Sequence, residues 1–225
     1  MDAARADLSV NTTRLVYQES GPPSLMRVRN VGGAPSLVQV WIDNGRNDVP
    51  LEKLQSPFVV STPLFRLSQG GSRDIVMRGV ATQALPTDRE SLFWLNILDV
   101  PATERNVSMM DIAIRIRMKI FYRPHGLAGE PGQVVQKLHW RIHKGAGGMN
   151  LLASNPTPYH INLRGVKLNG RELDIAADAM VIAPFSEWRH AIETERAAPS
   201  GDDRLIVGWI DDDGVTEEHA VQIGR

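Results

Sequence analysis

The amino-acid sequence predicts an all-β protein built from two β-sandwiches. Apolar residues alternate with polar residues in short segments, and no long stretch shows a helical period. The 19 glycines and 14 prolines fall at repeated breaks between these segments. Short strands separated by turn residues at roughly 8–12-residue intervals are typical of sandwiches and barrels. A chain of 225 residues holds one large or two small domains of this kind.

The first half of the chain shows the alternation most clearly in Leu37–Asp43. Pro63 lies between two short segments and indicates an edge strand or a strand that changes sheet. The polar segment Thr82–Ser91 is predicted to be a loop or a single helical turn. The predicted strands of this half are Leu8–Tyr17, Ser24–Asn30, Leu37–Asp43, Pro57–Thr62, Phe65–Leu67, Ser72–Val80, Ser91–Leu98 and Met109–Tyr122.

The second half follows a segment rich in glycine and proline, which predicts a linker at residues 125–132. The sequence therefore predicts an N-terminal domain over 1–124 and a C-terminal domain over 133–225. The predicted strands of the second half are Gln133–His143, Leu151–Ser154, Tyr159–Gly165, Val181–Ala183, Ser186–Ile192, Arg204–Asp211 and Thr216–Ile223.

Composition excludes several classes of function. The net charge is −1, which argues against a nucleic-acid-binding surface, because such a surface needs a concentrated basic excess. The chain has no cysteine, so it has neither disulfides nor thiolate chemistry. No apolar run approaches the ~20 residues that span a bilayer. The start, Met1–Asp7, has no signal core, which leaves a cytosolic chain or a mature one carrying an added Met1.

Candidate catalytic and metal-binding motifs have simpler interpretations. His139 and His143 lie four residues apart on a predicted strand, about 13 Å from each other, too far to share one ion. The run Asp211–Gly214 lacks the spaced ligands of a calcium loop and is typical of an acidic hairpin turn. No nucleophile–base pair stands out. We therefore expect no metal, no cofactor and no enzymatic activity.

The most informative segment is Met109–Pro124. Met110, Ile112, Ile114, Ile116 and Met118 form one apolar face of a predicted strand of about 14 residues, and Arg115 and Arg117 lie on the other face. Typical strands have five or six residues. The apolar face packs into its own core in one interpretation. In the other, the strand is a long exposed edge that binds another chain by strand addition.

At this segment the chain resembles the periplasmic chaperones of the chaperone–usher pilus pathway, the PapD-like family. The resembling blocks keep the order and approximate spacing of that family and span almost the whole chain. They are Thr13–Tyr17, Ser61–Pro63 with Phe65–Leu67, Asp88–Asn96, Lys119–Pro124 and, in the second half, Asn155–Tyr159. The resemblance implies two immunoglobulin-like sandwiches set at an angle, with a cleft between them.

The resemblance also implies a binding mechanism. Arg14 and Lys119 match the residues that anchor the C-terminal carboxylate of a pilin subunit. An arginine fork and a lysine point charge suit a carboxylate held away from water. Met110, Ile112, Ile114 and Ile116 match the residues that enter the groove of an incomplete pilin, the process called donor-strand complementation. In a regular strand Lys119 would lie on the face opposite Ile114 and Ile116. We therefore expect a β-bulge between Ile116 and Lys119.

Further expectations follow from the same family. Glu90 and Arg123 match two members of an inter-domain ion network, and Asp212, beside Asp211 and Asp213, is the expected third. The short loop Pro101–Ser108 resembles the short-loop branch. The partners would be pilin subunits and an outer-membrane usher, with self-association through the exposed strand as a further option. The compartment would be the periplasm. The alternative is a two-domain immunoglobulin-like adhesin or structural module, in which Arg14 and Lys119 need not converge.

Overall fold

A computed structural model describes residues 7–46, 49–101, 112–145, 148–192 and 203–223. It divides the chain into two compact units. The first unit is Met1–Pro86 with Ser91–His125, and the second is Thr87–Glu90 with Gly126–Arg225. Both consist of β-sheets around a separate hydrophobic core, so the predicted all-β fold of two sandwiches is confirmed. The domain limits at 1–124, 125–132 and 133–225 stay a prediction.

The first unit contains a four-stranded sheet in the order β1-β3-β7-β5 and a five-stranded sheet in the order β2-β9-β8-β4-β6. Its strands are β1 (Leu8–Val10), β2 (Arg14–Gln18), β3 (Ser24–Asn30), β4 (Ser36–Asp43), β5 (Phe58–Val60), β6 (Leu64–Leu67), β7 (Ser72–Gly79), β8 (Ser91–Pro101) and β9 (Ile114–Arg123). The segment Thr82–Ala84 forms one turn of 3-10 helix, within the segment predicted as a loop or helical turn.

The chain changes sheet at two places in the first unit. β5 pairs with β7 in one sheet, whereas β6 pairs with β4 in the other. Thr62, between them, has a φ of 54°, a left-handed conformation that a β-branched residue rarely adopts. The change of sheet indicated by Pro63 is confirmed. The predicted strand Leu8–Tyr17 likewise divides, because β1 pairs with β3 and β2 pairs with β9.

Aromatic side chains fill one end of the first core and hold β2 in place. The rings of Tyr17 and Phe58 meet edge to face at 5.1 Å between centroids, and those of Phe58 and Phe93 do so at 5.2 Å. Tyr122 of β9 stacks at 6.4 Å from Tyr17. The Tyr17 hydroxyl also accepts a hydrogen bond from the Gly79 backbone N–H at 2.9 Å. β2 is thereby fixed to both sheets.

The second unit contains a three-stranded sheet in the order β10-β11-β15 and a five-stranded sheet. Four strands of the larger sheet follow the order β13-β12-β16-β17, and the fifth, β14, also pairs with β12. Its strands are β10 (His139–Gly145), β11 (Gly148–Asn155), β12 (Ile161–Leu168), β13 (Arg171–Glu172), β14 (Val181–Ile182), β15 (Ser186–Ile192), β16 (Arg204–Ile210) and β17 (Thr216–Gln222). Trp140 and Trp188 meet edge to face inside this core.

The predicted strand Gln133–His143 is partly wrong. Pro131–Lys137 forms a 3-10 helix, and strand structure begins only at His139. Val134 and Val135 are both buried, so two consecutive apolar residues face the core, which a strand with alternating faces would not allow. Proline at the first turn favours this helical start. Among the described residues, no helix is long and apolar enough to cross a membrane.

Candidate functional site

Strand β9 carries four of the nine candidate residues, Ile114, Ile116, Lys119 and Arg123, and its pairing is regular. It pairs with β8 in antiparallel register from Asp99↔Ile114 to Ser91↔Tyr122 without a shift. The expected bulge between Ile116 and Lys119 is therefore wrong. The expectation assumed that Lys119 had to share a face with Ile114. The structure places its partner, Arg14, on the opposite face as well, so plain alternation satisfies both sets of residues.

The apolar face of β9 runs out of its own core toward the start of the strand. Met118, Ile120 and Tyr122 are buried in the core of the first unit. Ile116 is partly buried against that core, and Ile112, just before the strand, is 49% exposed. Ile114, like Ile116, is half-buried. The candidate groove-binding residues thus continue a core row beyond the point where the core ends.

One edge of β9 lacks a partner over part of its length. β8 covers one side of the strand from Ile114 to Tyr122. On the other side, β2 pairs in parallel only with Lys119–Arg123. No strand within the described residues pairs with Ile114–Met118 on that side. Unpaired backbone N–H and C=O groups at such an edge are a template for a strand from another chain. Met110 lies outside the described residues, and so does the Pro101–Ser108 loop except for Pro101.

Arg14 and Lys119 are direct neighbours in the parallel pairing of β2 with β9. Arg14 is buried, and Lys119 is half-buried. Burial, together with the nearby Arg14 charge, lowers the pKa of Lys119 to about 8. Removal from water disfavours the charged ammonium, and a neighbouring cation adds repulsion. The two residues form a compact cationic site where the unpaired stretch of β9 meets the paired one.

Asp43, on the same face of the sheet, gathers a polar cluster that the sequence analysis missed. Its buried carboxylate accepts hydrogen bonds from Asn96 Nδ2 at 2.7 Å and Arg117 Nη2 at 3.0 Å. Arg115 donates to Asn96 Oδ1 and approaches Asp43 Oδ2 at 3.6 Å. The Arg117 guanidinium lies 4.1 Å from the Trp94 ring centroid. Cross-strand register was the missing signal, since Asp43 and Arg117 are 74 positions apart.

The three residues expected in an ion network occupy different elements. Glu90 is buried in the second unit, where its carboxylate accepts a hydrogen bond from the His160 backbone N–H at 2.7 Å. Arg123 ends β9 in the first unit, and its carbonyl accepts one from the Glu19 N–H at 3.0 Å. Asp212 is exposed in the turn between β16 and β17. Their assignment to one network stays a prediction.

The described residues contain no group of three or more histidine, aspartate or glutamate side chains that could hold a metal ion. His139 and His143 both lie on β10, as strand residues. What the arrangement at β9 offers is an apolar row, an open strand edge and two cations that can bind an anion.

Comparisons with known proteins agree with this arrangement. The family described as "Pili and flagellar-assembly chaperone, PapD N-terminal domain" matches residues 7–128, and the "Pili assembly chaperone PapD, C-terminal domain" family matches residues 133–221. The chain therefore belongs to the PapD-like family of pilus-assembly chaperones. Chaperones of this family are not enzymes, and donor-strand complementation is their mechanism.

Two relatives and two solved structures illustrate the similarity. The probable fimbrial chaperone YadV of Escherichia coli strain K12 is 34% identical over 187 residues, 81% of this chain and 76% of that protein. Chaperone protein FimB/FhaD of Bordetella pertussis is 35% identical over 190 residues, 82% and 77% of the two chains. The YadV crystal structure has a TM-score of 0.80, with 30% identity over 97% of this chain and 100% of that one. The Pseudomonas aeruginosa CupB2 chaperone has a TM-score of 0.75, with 33% identity over 94% and 98%.

The family assignment confirms the predicted class of protein, its chaperone function and its pilin and usher partners. Homologous chaperones are periplasmic. A wide separation of Arg14 and Lys119 would favour the alternative of an immunoglobulin-like adhesin or structural module. The structure instead makes them cross-strand neighbours.

Proposed function

We propose that Arg14 and Lys119 bind the C-terminal carboxylate of a pilin subunit. The observation that carries this proposal is their direct pairing at the edge of the five-stranded sheet. Two cations in partly buried positions favour a bound anion, because charge-assisted hydrogen bonds gain strength where water is excluded. Arginine offers a planar fork and lysine a compact point charge, and together they match a terminal carboxylate.

The neighbouring stretch of β9 supplies the strand that the pilin lacks. Ile114–Met118 has one edge without a described partner, and the carboxylate site lies directly after it. A pilin strand whose end is fixed by Arg14 and Lys119 would therefore run along this edge in a defined register. Ile112 and Ile114 are the best placed of the named residues to enter a pilin groove, and Met110 extends their row in the sequence.

Ile116 contributes in a different way from the residues before it. It is already partly buried against the core of the first unit. Its side chain packs against that core and therefore has less apolar area left to bury against a partner. Full burial of an exposed isoleucine contributes about 1.5–3 kcal/mol, so most of the apolar gain comes from Ile112, Ile114 and Met110.

The protein itself works in the periplasm and delivers its bound subunits to the outer-membrane usher. Glu90, Arg123 and Asp212 form the proposed inter-domain ion network. Glu90 and Arg123 are buried, and the desolvation of a buried ion pair offsets much of its attraction, so such a network serves orientation more than stability.

Capture of the cognate pilin by tagged full-length protein tests the carboxylate site. We expect Arg14→Ala and Lys119→Ala each to reduce capture by about tenfold or more, the usual cost of losing a charged hydrogen-bond partner. Arg27→Ala is the matched control, since Arg27 is exposed and pairs with Asp74 on the other sheet. A peptide copying the pilin C-terminus should bind as the free acid and lose affinity as the amide. Equal capture by all variants would contradict the proposal.

A further inference from the structure

Four residues form one continuous row across the outer face of the five-stranded sheet. Asp43 of β4 lies opposite Trp94 of β8, Trp94 lies opposite Lys119 of β9, and Lys119 lies opposite Arg14 of β2. Cross-strand neighbours on one face are in direct reach of each other. The row therefore places a carboxylate, an indole ring and the two anchor cations in sequence along the sheet.

The carboxylate in this row is already occupied. Asp43 accepts hydrogen bonds from Asn96, Arg117 and the Gly45 backbone N–H, the last at 2.7 Å. It is 1% exposed. Its cationic partners come from the adjacent positions of β9, Arg115 and Arg117, and not from Lys119.

Trp94 stands between Asp43 and Lys119 in the row, and its ring lies near two cations of β9. Its centroid is 4.1 Å from the Arg117 guanidinium carbon and 5.7 Å from Lys119 Nζ. Both distances are within the ~6 Å range in which an aromatic face attracts a cation. Within the described residues, no carboxylate lies at ion-pair distance from the Lys119 ammonium.

We propose that Trp94 is a positioning residue whose ring keeps the Lys119 ammonium apart from the Asp43 carboxylate and so reserves this cation for a carboxylate of another chain. The inference rests on the proposed function of Lys119. Neighbouring strands are about 4.8 Å apart, and Asp43 and Lys119 lie on the two strands that flank β8, so their Cα atoms are about 10 Å apart. The flexible four-carbon stem of lysine can cross most of that gap once the ring is removed.

Electrostatics support this separation. The pKa of Lys119 is lowered by burial and by Arg14, and no acidic group raises it. The charged groups that face it from the adjoining strands are Arg14 on β2, Arg117 on β9 and, beyond the ring, Asp43 on β4. An ion pair with Asp43 would raise the pKa of Lys119, because an opposite charge stabilises the ammonium.

The first test is made on the free full-length protein and needs no pilin. NMR titration of the Lys119 side-chain Cε signal measures its pKa in wild type, Trp94→Leu, Asp43→Asn and the double variant. We expect Trp94→Leu to raise the pKa by about one unit or more, and Asp43→Asn in the same chain to reverse most of that rise. With Trp94 intact, Asp43→Asn should change it little. Trp94→Phe should stay near the wild type, because it keeps a ring.

The second test is capture of the cognate pilin by the same variants. Trp94→Leu should lower capture by about tenfold, and the Asp43→Asn double variant should recover most of it. Trp41→Leu is the matched control, because Trp41 packs under Arg115 on the same face and is not a neighbour of Lys119. Thermal unfolding is measured for every variant, and Trp94→Met replaces Trp94→Leu if the latter does not fold.

The outcomes separate the two proposals. A pKa rise that persists after Asp43→Asn would mean that the ring merely desolvates Lys119, and it would overturn the inference. An unchanged pKa and unchanged capture in Trp94→Leu would also overturn it. A reversible pKa rise together with normal capture by Arg14→Ala and Lys119→Ala would uphold the separation of Lys119 from Asp43 while refuting the carboxylate site.

Discussion

Arg14 and Lys119 lie opposite each other across a parallel strand pair, and the Arg14 charge helps to lower the pKa of Lys119. Like charges at directly opposed positions destabilise a sheet. The first unit tolerates them because Leu15 and Tyr17, on the other face of β2, are buried in the core and hold that strand in place. A carboxylate bound between the two cations, as proposed above, would remove the repulsion.

The first prediction concerns pH. Binding of a carboxylate raises the pKa of Lys119 from its free value of about 8, so above pH 8 the protein must take up a proton when it binds. Affinity for the pilin carboxylate should therefore decline above pH 8, by up to about tenfold per pH unit. Binding of the free-acid peptide, measured by calorimetry between pH 6.5 and 9.5, checks this. An affinity independent of pH in this range, or a similar decline in Lys119→Arg, would contradict it.

The same lowered pKa has the opposite effect on folding stability. Between pH 8 and the ordinary value of 10.5, the unfolded chain binds more protons at Lys119 than the folded chain does. Stability therefore gains a favourable contribution from this residue as pH rises through that window. Urea unfolding of wild type and Lys119→Met at pH 7 and pH 9.5 isolates the contribution. A wild type that loses stability relative to the variant as pH rises would show the sign to be wrong.

Two isoleucines, Ile120 in β9 and Ile112 just before that strand, should respond differently to truncation. Ile120 is 0% exposed in the core, whereas Ile112 is 49% exposed. Ile120→Ala should reduce the free energy of unfolding by about 2–5 kcal/mol. Ile112→Ala should change it by less than about 0.5 kcal/mol and yet weaken pilin capture. Urea denaturation and capture assays on both variants test the distinction, and a large stability loss in Ile112→Ala would refute it.

The Tyr17 hydroxyl should be important for the placement of β2. Tyr17→Phe removes the acceptor of the Gly79 N–H, and an unsatisfied donor costs about 1–3 kcal/mol. We expect lower stability of the first unit and faster amide exchange along Arg14–Gln18. Tyr159→Phe is the control, because its hydroxyl donates to the Gly129 carbonyl in the second unit. Unchanged exchange in β2 would exclude this role.

Asn155 should have a comparable structural role in the second unit. Its buried amide donates to the carbonyls of Tyr159 and Ala183, and its side-chain oxygen accepts from Thr157. Asn155→Ala leaves several buried polar groups without partners and should cost about 2–4 kcal/mol. Hydrogen exchange should accelerate in β11 and β15 and not in β3 or β7. Equal acceleration in both units would contradict a local effect.

Sequence alone predicted those elements whose periodicity had a single interpretation. The predicted limits Ser24–Asn30 and Ser186–Ile192 are those of β3 and β15, and along both strands more buried residues alternate with exposed ones. Pro131–Lys137 was misassigned because a short apolar run such as Val134–Val135 fits a strand or a helical turn equally well. Side-chain alternation also predicted the faces of β9 correctly.

The arrangement around Lys119 could not be predicted from the amino-acid sequence, because it depends on the register between strands. Asp43, Trp94 and Arg117 come from three strands, and only the register of those strands makes them neighbours. The erroneous bulge has the same origin, because the face of Lys119 could be judged only once its partner on β2 was known. Motif resemblance supplied Arg14 and Lys119 as a pair but gave no role to the ring beside them.

The two changes of sheet in the first unit have a consequence for solubility. They make every edge strand of that sandwich short, since β1, β2, β5 and β6 contain 3, 5, 3 and 4 residues. Short edges give stray polypeptides little backbone to pair with. At each of these four edges a strand from another chain would find at most five residues to pair with, whereas the side of β9 that β2 leaves uncovered adds the stretch Ile114–Met118. Short edge strands thus limit nonspecific strand pairing without covering this side of β9.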